Sequence, residues 1–159
     1  MIRKKQSSRI RLGIDFGTTR TLVASVEKGN YPLVTFETKW GEAQDWFPSL
    51  IAGRGSELVF GWEAGSRQAE EGWQKIRSIK RLLSQANPQT CLEIGGEKIP
   101  VLTLLTGYLS ALHKDLLENS NLQGKKPVRA ALSGTRSTPV WCRCCWNPSK
   151  LPKTKVLSF

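Results

Sequence analysis

Between residues 9 and 16 the chain alternates strictly. Ile10, Leu12, Ile14 and Phe16 are apolar, with Arg11, Gly13 and Asp15 between them, the period of a β-strand with one buried face. A turn at Gly17-Thr18-Thr19-Arg20 leads into a second strand over residues 21–26, rich in β-branched side chains. Gly29-Asn30 is the next turn, and residues 31–38 are expected to form a third strand. Short turns between three strands predict an antiparallel meander. Residues 46–52 read as one short edge strand carrying Pro48, and residues 58–60 as another.

From Trp62 the pattern turns helical. Ile76, Ile79, Leu82 and Leu83 share a face, with Lys75, Arg77 and Arg81 elsewhere around it, until Asn87-Pro88 closes the segment. Residues 91–99 predict a hairpin with Gly95-Gly96 at its tip. Pro100 stands where a first helical residue belongs. Leu102, Leu105, Leu109, Leu112 and Leu116 then recur at spacings of three and four, the clearest helical signal in the chain. His113 lies beside this stripe and reads as a helix-flank residue. Residues 128–133 read as a short buried strand.

Charge changes this picture only at the ends. The 159 residues carry a formal net charge of +11. Arg3, Lys4, Lys5, Arg9 and Arg11 lie in the first eleven residues, and Arg136, Arg143, Lys150, Lys153 and Lys155 in the last stretch, with no acidic residue in either. The body between is nearly neutral, which argues against a folded nucleic-acid face. Residues 1–8 form a basic extension. No apolar run suits a membrane span or a secretory signal, so the expected location is cytoplasmic. Cys142, Cys144 and Cys145 crowd together without the paired spacing of a zinc site.

The chemistry lies in Gly13-Ile14-Asp15-Phe16-Gly17-Thr18-Thr19. Glycine permits a tight turn and close approach of a ligand. Successive N–H groups from Gly17 to Arg20 can converge on phosphate oxygens, with two threonine hydroxyls beside them. Asp15 points away from the core and suits a hydrated magnesium ion near phosphates. The same residues also fit an ordinary hairpin with an aspartate near a glycine turn.

This segment resembles the phosphate-binding hairpin of the Hsp70 (DnaK-like) chaperones, within the actin, hexokinase and Hsp70 ATPase superfamily. Phe47-Pro48-Ser49-Leu50-Ile51 resembles the family's Thr-Pro-Ser strand. Val59-Phe60-Gly61-Trp62-Glu63-Ala64 is similar to its Val-Gly-x-x-Ala segment, and Ser78-Ile79-Lys80-Arg81-Leu82-Leu83 to its Lys-Arg-Leu helix. The resemblance covers residues 9–133. It implies an α/β, actin-like (ribonuclease H-like) ATPase fold, present as part of its first lobe. It also implies binding of ATP or ADP with magnesium. Gly17, Thr18 and Thr19 would hold phosphates, Asp15 would hold the metal through water, and Asp15 and Lys80 would serve catalysis, Lys80 reaching the γ-phosphate. Arg20 stands where the family has a polar or aromatic residue, and no role is carried onto it. Implied partners are unfolded polypeptides, J-domain cochaperones and nucleotide exchange factors. Other actin-fold enzymes such as sugar kinases, or a non-enzymatic basic interaction protein, are the competing readings.

The family's second phosphate loop, its adenosine-binding glycines and its substrate-binding domain have no counterpart here. Expected activity is therefore weak or undetectable nucleotide binding without turnover. Residues 134–159 show no helical or strand period. A one-base shift of reading frame over them permits an amphipathic pattern of Hsp70 character, so this tail is expected to be frameshifted and poorly ordered.

Overall fold

The computed structural model describes residues 9–87, 89–133 and 140–142. The expected basic extension at 1–8, Pro88, and most of the expected aberrant tail lie outside the described residues. The architecture is mixed α/β, with one five-stranded sheet, a three-stranded sheet and two small two-stranded ones.

Strand β1 (Arg9–Phe16) and strand β2 (Arg20–Val26) form the antiparallel hairpin that the alternation predicts. Ile10, Leu12, Ile14 and Phe16 are buried while Arg11 and Asp15 are exposed. Each such burial contributes roughly 1.5–3 kcal/mol, enough to fix which face of the hairpin looks inward. The third meander strand is much shorter than expected. After β2 the chain runs alongside it through Leu33, which bridges Ala24, and Val34, whose N–H donates to the Val23 carbonyl at 2.7 Å. Only β3 (Phe36–Glu37) becomes a strand, and it pairs with β4 (Ala43–Gln44) rather than with β2. The cyclic Pro32 has no N–H to give a ladder.

The edge strand expected over 46–52 divides. Strand β5 (Phe47–Pro48) pairs with β2, whereas β6 (Leu50–Arg54) enters the second sheet. There β6 lies between β7 (Glu57–Phe60) and β8 (Gln74–Arg77). The continuous helix expected after Trp62 is therefore corrected. Helix α1 (Gly61–Ser66) gives way to a 3-10 turn at Arg67–Ala69, and Ile76 pairs with Ile51 in the β6–β8 ladder. Helix α2 (Ile79–Leu83) begins only after Ser78, whose φ of 77° puts a left-handed kink between strand and helix. Ile76 and Ile79 thus sit on different elements, and their helical spacing is coincidental.

Strands β9 (Cys91–Ile94) and β10 (Glu97–Pro100) form the predicted hairpin. Pro100 ends β10 and flanks helix α3 (Val101–Glu118) instead of opening it. The buried stripe of α3 is Val101, Leu104, Leu105, Tyr108, Leu112 and Leu116. Leu102, expected inside, is 41% exposed, and Leu109 is half-buried. The stripe rotates because Tyr108 occupies the centre of the core, against Phe16 and Phe47 at centroid separations of 5.5 and 5.7 Å. Strand β11 (Lys126–Ser133) returns parallel to β1, as residues 128–133 predict. Residues 140–142, read as part of a tail without strand character, form β12 (Val140–Cys142), antiparallel to β11. The order of the main sheet is β12-β11-β1-β2-β5.

Candidate functional site

The turn joining β1 to β2 is closed by one main-chain hydrogen bond, from Gly17 N–H to the Arg20 carbonyl at 3.1 Å. A Cβ on Gly17 would sit 2.2 Å from that carbonyl oxygen. No other residue fits the turn without opening it. The Thr19 carbonyl accepts the Ser49 N–H at 3.0 Å, which ties the turn to the start of β6. Among the described residues the N–H groups of Thr18 and Thr19 take no part in the main-chain hydrogen bonds that close the turn. Both threonines are exposed. Two adjacent N–H donors and two hydroxyls thus belong to exposed residues of a main-chain-bonded turn, a residue set suited to an anion nest.

Asp15 lies two residues before Gly17 on the exposed face of the sheet, with Leu22 as its cross-strand partner. Among the described residues no group of three or more histidine, cysteine or acidic side chains is placed to hold a metal ion. One carboxylate cannot dehydrate magnesium, but it suits an ion that keeps most of its waters and is carried by phosphates.

Lys80 is the second residue of α2 and is half-buried. It lies outside the hairpin that groups Asp15, Gly17, Thr18 and Thr19. The β6–β8 ladder links the two: Arg77 pairs with Leu50, next to the Ser49 that bonds Thr19. The left-handed Ser78 then turns the chain so that Lys80 follows one helical step later. His113 is half-buried on α3, and burial lowers its pKa.

Directly beneath the turn are three residues that motif reading passed over as a group. Thr21, Ser49 and Tyr108 are all buried. Thr21 Oγ1 lies 2.7 Å from the Tyr108 hydroxyl and 3.0 Å from Ser49 Oγ, and Ser49 Oγ lies 3.4 Å from the same phenol. Each hydroxyl both donates and accepts, so the cluster satisfies itself without water. Burial pushes the Tyr108 phenol up to about 12, against the hydrogen bonds to Ser49 and Thr21. A faint signal for it exists in the sequence: Thr21 falls on the inward phase of β2 with Val23 and Ser25.

Gly61, at the start of α1, has φ +60°, and a Cβ there would lie 2.0 Å from the Phe47 ring. This close approach lets α1 sit against β5 and places Trp62 on Trp46, with centroids 4.9 Å apart. The Arg20 guanidinium lies 4.5 Å from the centre of the Trp46 ring.

The chain is similar to curated chaperones named HscA. It is 31% identical over 137 residues to the chaperone protein HscA of Xenorhabdus nematophila, covering 79% of this chain and 22% of that protein. It is 26% identical over 136 residues to the HscA homolog of Colwellia psychrerythraea, covering 79% of this chain and 21% of that one. With the HscA of Buchnera aphidicola subsp. Schizaphis graminum the identity is 32% over 85 residues, 54% of this chain and 13% of that protein. The chain thus spans between about an eighth and about a fifth of the length of these relatives. No protein-family model matches it. Among the described residues no helix is long and apolar enough to cross a membrane.

Proposed function

We propose that residues 9–133 are the first-lobe portion of an Hsp70-type nucleotide-binding domain of actin-like fold, and that the β1–β2 turn takes the phosphates of ATP or ADP. The observation that carries this reading is the turn itself. Thr18 and Thr19 are exposed, with hydroxyls and with N–H groups that take no part in closing the turn, on a backbone fixed by Gly17 and Ser49, beside the exposed face that holds Asp15. The similarity to HscA chaperones over most of the chain supports it.

In this reading Thr18 and Thr19 bind and orient the phosphate chain, and Asp15 orients a hydrated magnesium ion through its water shell. When bound, magnesium neutralises phosphate charge and polarises the terminal phosphoryl group. Lys80 supplies a positive charge at the γ-phosphate, where negative charge shifts during phosphoryl transfer. These residues make one wall of a site. Preorganised donors act fully only with water excluded, so the 159-residue chain binds nucleotide weakly and does not turn it over. Polypeptide clients, J-domain cochaperones and exchange factors belong to the activity of a whole chaperone.

The test is titration of the chain with magnesium ATP, followed by tryptophan emission or calorimetry, alongside Thr18→Val and Thr19→Val. Saturable binding that either substitution weakens supports the reading. Binding indifferent to both substitutions overturns it.

A further inference from the structure

We propose that Arg20 is a second cationic ligand for the phosphate chain, presented by the ring of Trp46. This rests on the phosphate reading of the β1–β2 turn.

Arg20 opens β2, and its partner across the β2–β5 pair is Pro48. Thr21 and Phe47, the next pair, both face the core. Alternation along β2 therefore puts Arg20 and Leu22 on the opposite face. Asp15 is the partner of Leu22, so Arg20 and Asp15 are diagonal neighbours on one surface at the turn. The Arg20 side chain is exposed and stacks over Trp46 at 4.5 Å. Trp46 is itself packed in an aromatic chain: its ring meets Trp62 at 4.9 Å, Trp62 meets Phe47 at 6.2 Å, and Phe47 meets Phe36 at 5.7 Å. This column gives the guanidinium a fixed platform.

Stacking uses the face of a guanidinium and leaves its edge of N–H donors available. Among the described residues no carboxylate forms an ion pair with Arg20, whereas Arg54, Arg67, Lys114 and Lys125 each have one. A planar cation with a free donor edge, beside the N–H groups of Thr18 and Thr19, fits a polyphosphate by charge-assisted, two-pronged hydrogen bonding. Arg20 sits beside Asp15, so its charge also offsets the repulsion between that carboxylate and the anion. The anion site consequently keeps affinity for a polyphosphate when no metal is present.

The test uses the full chain, inorganic tripolyphosphate with a chelator, and magnesium ATP, with tryptophan emission as readout and Trp46→Phe as the control that assigns the signal. Arg20→Gln is expected to weaken tripolyphosphate binding about tenfold, as loss of a charge-assisted contact does. Arg20→Lys should recover only part, because an ammonium lacks the planar fork. Emission from Trp46 should change on binding in the wild type and stay constant in Arg20→Gln. Thermal unfolding of each variant separates a lost ligand from a lost fold. Equal affinity in wild type and a folded Arg20→Gln overturns this proposal and leaves the phosphate reading intact. Absence of saturable binding in the wild type, with both probes, overturns both.

Discussion

The Tyr108 hydroxyl and Thr21 Oγ1 stand 2.7 Å apart across 87 residues of sequence, buried under the turn that carries Thr18 and Thr19. Helix α3 is thereby bonded to the first residues of β2, and through Ser49 to the start of β6. The outward geometry of the turn depends on an inward hydroxyl cluster.

Tyr108→Phe should remove one member of this cluster at little change in shape. Thr21 and Ser49 still bond each other, so the expected loss is about 1 kcal/mol. Denaturant unfolding measures it. A double cycle with Thr21→Val should show coupling between the two sites, and strict additivity would contradict the observed bond. The raised Tyr108 pKa has a further consequence. Its stabilising contribution is complete below the ordinary value of 10.0 and is lost as pH rises toward about 12, so alkaline unfolding should shift in Tyr108→Phe.

Gly61 and Gly96 make a matched pair of tests. Both have positive φ, +60° and +86°, but a Cβ at Gly61 meets the Phe47 ring at 2.0 Å while one at Gly96 meets nothing within 4 Å. Gly96→Ala should cost about 1 kcal/mol of backbone strain. Gly61→Ala adds overpacking against a buried aromatic and should cost about 3 kcal/mol or more. Melting temperatures of the two variants decide it, and equal losses would mean that α1 does not press on β5.

Asp115 gives a pH prediction. Burial, foremost, raises its pKa above 3.8, against the hydrogen bond that Asn119 donates to Oδ1 and a weaker one from the Trp62 indole. The native state then holds the proton more tightly than the unfolded chain. Its contribution to stability is full below 3.8 and is lost as pH rises above that value. Glu27 and Glu70 act in the opposite sense, held down first by hydrogen bonds to Lys125 and Arg67, and favour the fold above 4.5. Asp115→Asn should raise the melting temperature at neutral pH, with the gain shrinking as pH falls toward 4. A gain independent of pH would show that ionisation of Asp115 is not the cause.

Lys80→Ala should leave stability within about 0.5 kcal/mol, since the side chain is half-buried and near the start of a five-residue helix. Phosphate release from ATP should stay at background in both the wild-type chain and this variant. Turnover clearly above buffer that the substitution abolishes would mean that one wall of the site suffices.

Local periodicity alone determined β1, β2, the β9–β10 hairpin, α3 and the return strand near 128–133. Most of these hold a hydrophobic repeat over enough residues for one face to be buried whatever their neighbours are, and the β9–β10 hairpin is marked instead by Gly95-Gly96 at its tip. The glycine-threonine turn was equally legible, because Gly17 and the two threonines are adjacent in sequence. Tertiary structure decided the rest. The helical spacing of Ile76 and Ile79 gave way to a strand because Ile51 offered a ladder partner, and the third meander strand was cut short where Phe36 and Glu37 paired with β4 instead of β2. Tyr108, rather than Leu102, set the rotation of α3, since its hydroxyl had to reach Thr21 and Ser49. Such choices depend on groups many residues apart meeting in space, and no local pattern records where a distant partner will stand.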